Sequence, residues 1–325
     1  MKIELKKSHY YKNTPLILSF LCIISGALCG LLGEIALPLP VAFLASLYLF
    51  DNTNHRTVSV VTSSLLVVMN IAGLLLKLSL SAFGPAAIIL AFIMYYAFSH
   101  KQSKADSSFV MTVICAVFSL LSYILLAMHL QGQYSIEAAM DFYSSLTSLL
   151  KESFVSLMLE AYTAAGIAVA PELLTKIFEY QLNMIISYLL IAAFFIVGIS
   201  FKIFSLIVRK CTEDKREITS WRFFTSNVFA YFYVLVAFAS IFMVSLDGVI
   251  SIAVLNLYNL FLVVYAYVGF NVAFAMLTKK FKPFVSFLLL IVTLLIFVSL
   301  GIQILAALGV LFTIRKNNEV ALTNK

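Results

Sequence analysis

The sequence predicts an all-α protein, a polytopic transmembrane helical bundle of about ten membrane segments with an extracytoplasmic helical hairpin. Three observations carry that prediction. Hydrophobic residues make up 62% of the 325 residues and charged residues only 11%, less than half the share of about 25% found in soluble domains. The apolar residues gather into runs that are long enough, or nearly so, to cross roughly 30 Å of hydrocarbon. These runs also lack the period-two alternation of a barrel strand, so helices must satisfy the backbone polar groups in lipid.

In chain order the runs cover 16–33, 35–50, 57–76, 84–99 and 108–128, then 183–208, 228–246, 249–277, 284–300 and 302–314. The first has a basic flank like that of a signal peptide, but no small-residue cleavage site follows before Glu34, so it reads as a retained helix. The second contains Pro38 and Pro40, and the last would rise only about 20 Å as an ideal helix. Either could be a half-helix, and one long tilted helix over 284–314 is the alternative for the last pair. The division expected is N-terminal membrane helices over 1–128, an insertion over 129–181 and C-terminal membrane helices over 182–325. Five runs on each side suggest a duplication, but the halves share no residue pattern.

The insertion, between His129 and Gln181, is amphipathic and net acidic. Ile136, Met140, Tyr143, Leu146, Leu150, Phe154, Leu157 and Ala161 recur every three or four residues and mark one helix face, with Glu137, Asp141, Ser145, Ser148 and Glu152 on the other. Ala164, Ala165 and Gly166 weaken that helix, and Pro171 with Glu172 begins another. A helical hairpin results, serving either as a cap packed on the bundle or as a lid or partner-docking surface.

Threading the chain from an inside N-terminus places most basic residues on one side, among them Lys6, Lys7, Arg56, Lys101, Lys104, Arg209, Lys210, Lys279, Lys280, Arg315 and Lys316, and leaves Lys77, Lys151 and Lys176 opposite. The positive-inside rule then puts both termini in the cytoplasm of a bacterial inner (plasma) membrane and the insertion outside. The net charge of +7 is accounted for by these loops, and no nucleic-acid partner is expected.

Two helices carry polar stripes. At about 100° per residue, Asn256, Asn259, Tyr267 and Asn271 fall within roughly 120° on the eighth segment, with Tyr258 and Tyr265 pointing away. Ser59, Ser63, Asn70 and Lys77 fall within about 40° on the third, with Gly73 close by. Such stripes serve either as hydrogen-bonding glue between helices or as the wall of a solute cavity. On the first segment Gly26, Gly30 and Gly33, with Ser25 and Cys29, satisfy small-xxx-small spacing, which suits an internal crossing or a docking face. Lys77 and Lys202 can snorkel to the interface, while Glu34 and Asp247 fall in tight outer turns and need no function.

The chain lacks a phosphate-cradling Gly-rich loop, His-Glu-x-x-His, Cys-x-x-Cys and Gly-x-Ser-x-Gly. Cys22, Cys29, Cys115 and Cys211 show no paired spacing. An enzyme is therefore not expected, nor are catalytic residues, a metal or a cofactor.

The run Trp221-Arg222-Phe223-Phe224, then Asn256 leading to Tyr265-Ala-Tyr-Val-Gly269-Phe, Lys279-Lys280, and Leu308-Gly309 before Arg315-Lys316 resemble the YybS-like family of bacterial membrane proteins. Family members often have Gln-Gly where Val268-Gly269 stands and a proline where Ser226-Asn227 follows the aromatic run. The family is distantly similar to the substrate-binding S components of energy-coupling-factor transporters. That resemblance implies a first helix that uses Gly26 and Gly30 against a coupling subunit.

The expected function is binding or transport of a small solute in a cavity between the third and eighth segments, with Asn70, Asn256, Asn259, Tyr267 and Asn271 as its polar contacts. The alternative is a non-transporting membrane scaffold whose outer hairpin recruits a cell-envelope partner. Membrane lipids are contacts in either case.

Overall fold

A computed structural model of the chain describes residues 13–50, 56–75, 83–100, 102, 104–211, 226–243 and 248–323. Lys77, Lys101, Asp247 and the run Trp221 to Phe224 lie outside them. The described residues form twelve α-helices and no strand. They are α1 (Thr14–Leu32), α2 (Pro38–Phe50), α3 (Arg56–Leu75), α4 (Phe83–Ser99), α5 (Lys104–Gln131), α6 (Ile136–Ala164), α7 (Pro171–Asn183), α8 (Ile185–Cys211), α9 (Asn227–Met243), α10 (Val249–Leu277), α11 (Pro283–Ile296) and α12 (Val298–Thr323). Four stretches are long and apolar enough to cross a membrane: Gly33–Phe50, Asp106–Gln131, Ile185–Cys211 and Val249–Leu277. Five shorter apolar helices accompany them.

Two helices differ from expectation in length. α2 itself has 13 residues, about 20 Å of rise, so it reaches 18 residues only with the 3-10 turn before it. The last segment is longer than its apolar run: α12 has 26 residues, about 39 Å, because the polar residues after Ile314 are compatible with helix. A single helix over 284–314 is not formed. Phe297, at φ −118° and ψ 54°, separates α11 from α12.

The chain divides into two compact units, and the expected boundary at 181/182 is one of the division points. The first unit holds residues 1–181 and 192–223, so the insertion and most of α8 group with the N-terminal helices. The second holds 182–191 and 224–325.

In the first unit α2 packs against α1, α3 and α4. It is apolar on all sides, and Val41, Ala42, Leu44, Ala45 and Leu47 are buried, as expected of a helix surrounded by others. Its one hydroxyl in that interior, Ser46, donates to the Ala42 carbonyl at 2.7 Å. The polar stripe of α3 turns inward: Thr62 bonds Ser19 of α1 at 2.6 Å, and Ser63 bonds Tyr48 of α2 at 2.9 Å.

The insertion forms two helices as expected. Ser135 caps α6 by accepting the Ala138 N–H at 3.1 Å. Lys151 and Glu179 form an ion pair at 2.8 Å, and the rings of Phe154 and Phe178 lie 5.7 Å apart, joining α6 to α7. α6 also packs on α5, where Tyr143 donates to the Tyr123 carbonyl at 2.7 Å. Burial of Tyr143, and then Tyr123 beside it, raise the Tyr143 pKa. The predicted apolar face is otherwise open, with Ile136, Met140 and Leu157 each about two-thirds exposed.

The second unit is built on the crossing of α10 and α12. Gly269 and Gly309 meet there. A side-chain carbon on Gly269 would strike the Leu305 carbonyl, and one on Gly309 would strike the Tyr265 carbonyl, so both positions require the smallest residue for the backbones to approach. Ala230, Tyr233, Phe261, Tyr265, Ala306 and Val310 form the core around this contact. Tyr258 and Tyr265 lie on the side of α10 facing α9, where Tyr233 stacks with both.

Candidate functional site

The most enclosed feature of the first unit is a cleft of about 170 Å³ among α1, α2, α3 and α4. Close helix approach shapes it. Gly26 faces the Leu66 side chain, and a side-chain carbon on Gly84 would lie 2.9 Å from both Asn70 Cβ and the Leu66 carbonyl. The walls include Gly30 and Cys29 of α1, Pro40 of α2, Met69 and Asn70 of α3, and Phe83 of α4. Among the described residues that line it, Asn70 supplies the one amide and no side chain is charged. The cleft is smaller than the roughly 300–1,000 Å³ of sites that enclose drug-sized ligands, so it suits a compact, uncharged solute or one end of a larger molecule.

Three residues singled out in the sequence thus converge on one place. Sequence pattern assigns Asn70 to a solute and Gly26 and Gly30 to a partner protein, and all three line this cleft. Small-residue spacing indicates close packing on α1, but not the helix that meets it.

In the second unit the stripe on α10 separates into two pairs. Asn256 Oδ1 accepts the Ser187 N–H at 2.9 Å, and its Nδ2 donates to the carbonyls of Asn183 and Ile252, each at 2.8 Å. Asn259 Nδ2 lies 3.3 Å from Met184 Sδ. Both amides therefore engage the junction where α7 stops at Asn183 and α8 begins at Ile185. Asn256 binds an exposed carbonyl of the first helix end and a free N–H of the second. Tyr267 is 41% exposed, and Asn271 donates to the Tyr267 carbonyl within the same helix at 2.8 Å. Helix angle places the four on one face, but Asn256 and Asn271 are about 22 Å apart along the axis. Asn70 belongs to the first unit and the other four residues to the second.

Lys202 is exposed, as snorkelling requires. Beside it, Lys104 lies 5.3 Å over the Phe201 ring. Burial, and secondarily the charge of Lys202, lower the Lys104 pKa below the usual lysine value. Among the described residues, no three His, Cys, Asp or Glu side chains come together as a metal site.

A family model described as "Predicted membrane protein (DUF2232)" matches residues 16–311. No curated protein and no solved structure gives a significant match.

Proposed function

The chain belongs to this DUF2232 family of predicted membrane proteins, and on that footing we propose that it binds a compact, uncharged solute in the cleft of its first unit. The observation that carries this reading is the position of Asn70, a hydrogen-bonding amide on a cleft otherwise walled by small and apolar residues. An amide there can orient a ligand while the surrounding surface excludes water. Met69 and Phe83 supply polarizable and aromatic contact. The function is binding, or binding as a stage of transport, and no reaction is assigned.

The likeness to YybS-like proteins and to S components supports a partner that supplies energy, with both termini cytoplasmic. Under that reading Gly26 and Gly30 would meet the partner, which competes with their use against Leu66 and the cleft inside this chain. The test is thermal unfolding of the purified protein against a panel of uncharged metabolites. A stabilising solute should lose its effect in Asn70→Leu and keep it in Asn271→Leu. A shift that survives Asn70→Leu, or no shift with any solute, removes the reading.

A scaffold role has one observation in its favour, the open apolar face of α6 at Ile136, Met140, Leu149, Leu150 and Leu157. If that face recruits a cell-envelope protein, deleting 135–161 abolishes its co-purification and Asn70→Leu does not.

A further inference from the structure

We propose that Glu34 is a proton-binding site linked to the solute cleft. The link rests on the cleft reading above; the site itself rests on separate geometry.

Glu34 lies in the 3-10 turn Gly33–Ala36, which the chain enters through Gly33 at φ 67°, a left-handed conformation suited to glycine. The turn joins α1 to α2, and both helices wall the cleft, through Gly30 on one side and Pro40 on the other. The carboxyl reaches α5, where it hydrogen-bonds to the side chain of Ser119. Ser119 and Cys115 are buried. With Tyr123 they form a row at four-residue spacing along one face of α5. The other carboxyl oxygen, Oε1, is buried and has no hydrogen-bond partner among the described residues.

Depth makes this placement consequential. Ser119 falls near the middle of the apolar stretch Asp106–Gln131, with about 18–20 Å of helix on either side. Glu34 is thus an acidic side chain held against the middle of an apolar helix, not one confined to an outer turn. The titratable groups around it are Cys115 and Tyr123 on α5, Cys29 on α1, and Tyr143 of α6 behind Tyr123. α2 contributes none in its first two turns. Among the described residues, no cation belongs to this group. An ionised carboxyl without a cation in apolar surroundings is costly, and taking up a proton removes that cost.

Proton uptake changes the charge of the turn that connects two cleft walls. Whatever shape of the cleft favours the protonated turn is in turn favoured by it, since coupling between two sites is reciprocal.

The test uses dicyclohexylcarbodiimide, which reacts with protonated carboxyls in apolar surroundings, on the full-length protein in membranes, with the modified residue identified by peptide mass spectrometry. Glu34 should be labelled, less so as pH rises, and the label should be absent in Glu34→Gln. Gly30→Leu, which fills the cleft, should change the labelling rate about fivefold or more, the lower end of ordinary coupling between sites. No labelling of Glu34 in the folded wild type, or labelling indifferent to pH, overturns the site. Protection by sodium or potassium at constant ionic strength also overturns it, by assigning the carboxyl to a metal cation. Labelling that depends on pH but is unchanged in Gly30→Leu overturns the link. Because labelling is read without solute, these results are independent of the Asn70 test.

Discussion

Replacing Asn256 with Leu should open the joint between α7 and α8. The side chain is buried, and its loss strips partners from two backbone groups, the Ser187 N–H and the Asn183 carbonyl. The third contact, the Ile252 carbonyl, already belongs to the ladder of α10 and loses little. A buried polar group left unsatisfied costs about 1–3 kcal/mol. Measured hydrogen bonds between membrane helices are weaker, averaging about 0.6 and reaching about 1.7 kcal/mol. Two groups together give a destabilisation of roughly 1–3 kcal/mol, or about 5- to 150-fold in the ratio of closed to open joint. Hydrogen–deuterium exchange resolves the effect locally. The Ser187 amide should exchange faster by that factor in Asn256→Leu, while amides in the middle of α2 are unchanged. Equilibrium unfolding in mixed micelles should show a matching loss. Wild-type exchange at Ser187 together with wild-type stability would refute the assignment of Asn256 to the joint.

Gly309→Leu should be more damaging, because even a β-carbon meets the Tyr265 carbonyl. The α10–α12 crossing must separate, and loss of protease resistance in 249–323 with 14–50 still protected would show it. Overpacking ordinarily costs about 1–3 kcal/mol, and a clash with backbone falls at or above the top of that range. For topology, cysteines introduced singly at Arg56 and Lys316 in a variant without native cysteines should react with a membrane-permeant maleimide and resist an impermeant one. Labelling of either from outside overturns the inside placement of the termini.

The helices are legible in the sequence because apolar runs and helix periodicity are local properties. α6 and α7 stand where the repeat from Ile136 to Ala161 and the Pro171-Glu172 start place them. The length of α12 is less legible, since apolarity marks what lipid accepts, and a helix continues into polar sequence without it. Angular stripes tell which way Ser63 turns but not how far apart Asn256 and Asn271 stand. The partner of Asn256 also lies beyond local reading, since it is the backbone of a helix junction 69 residues away. Glu34 is hardest to read: its sequence neighbours describe a turn, and only the packing of that turn against Ser119 reveals its surroundings.

The meeting of Gly269 and Gly309 also sets an order of assembly. Forty residues separate the two contacts, so at about 5–20 residues per second of synthesis α10 waits some 2–8 s for its partner. During that interval the glycine face of α10 is uncovered and open to any other helix in the membrane. The second unit thus completes late, and a chain stopped before residue 309 would present that face permanently, a form that membrane quality control should recognise and remove.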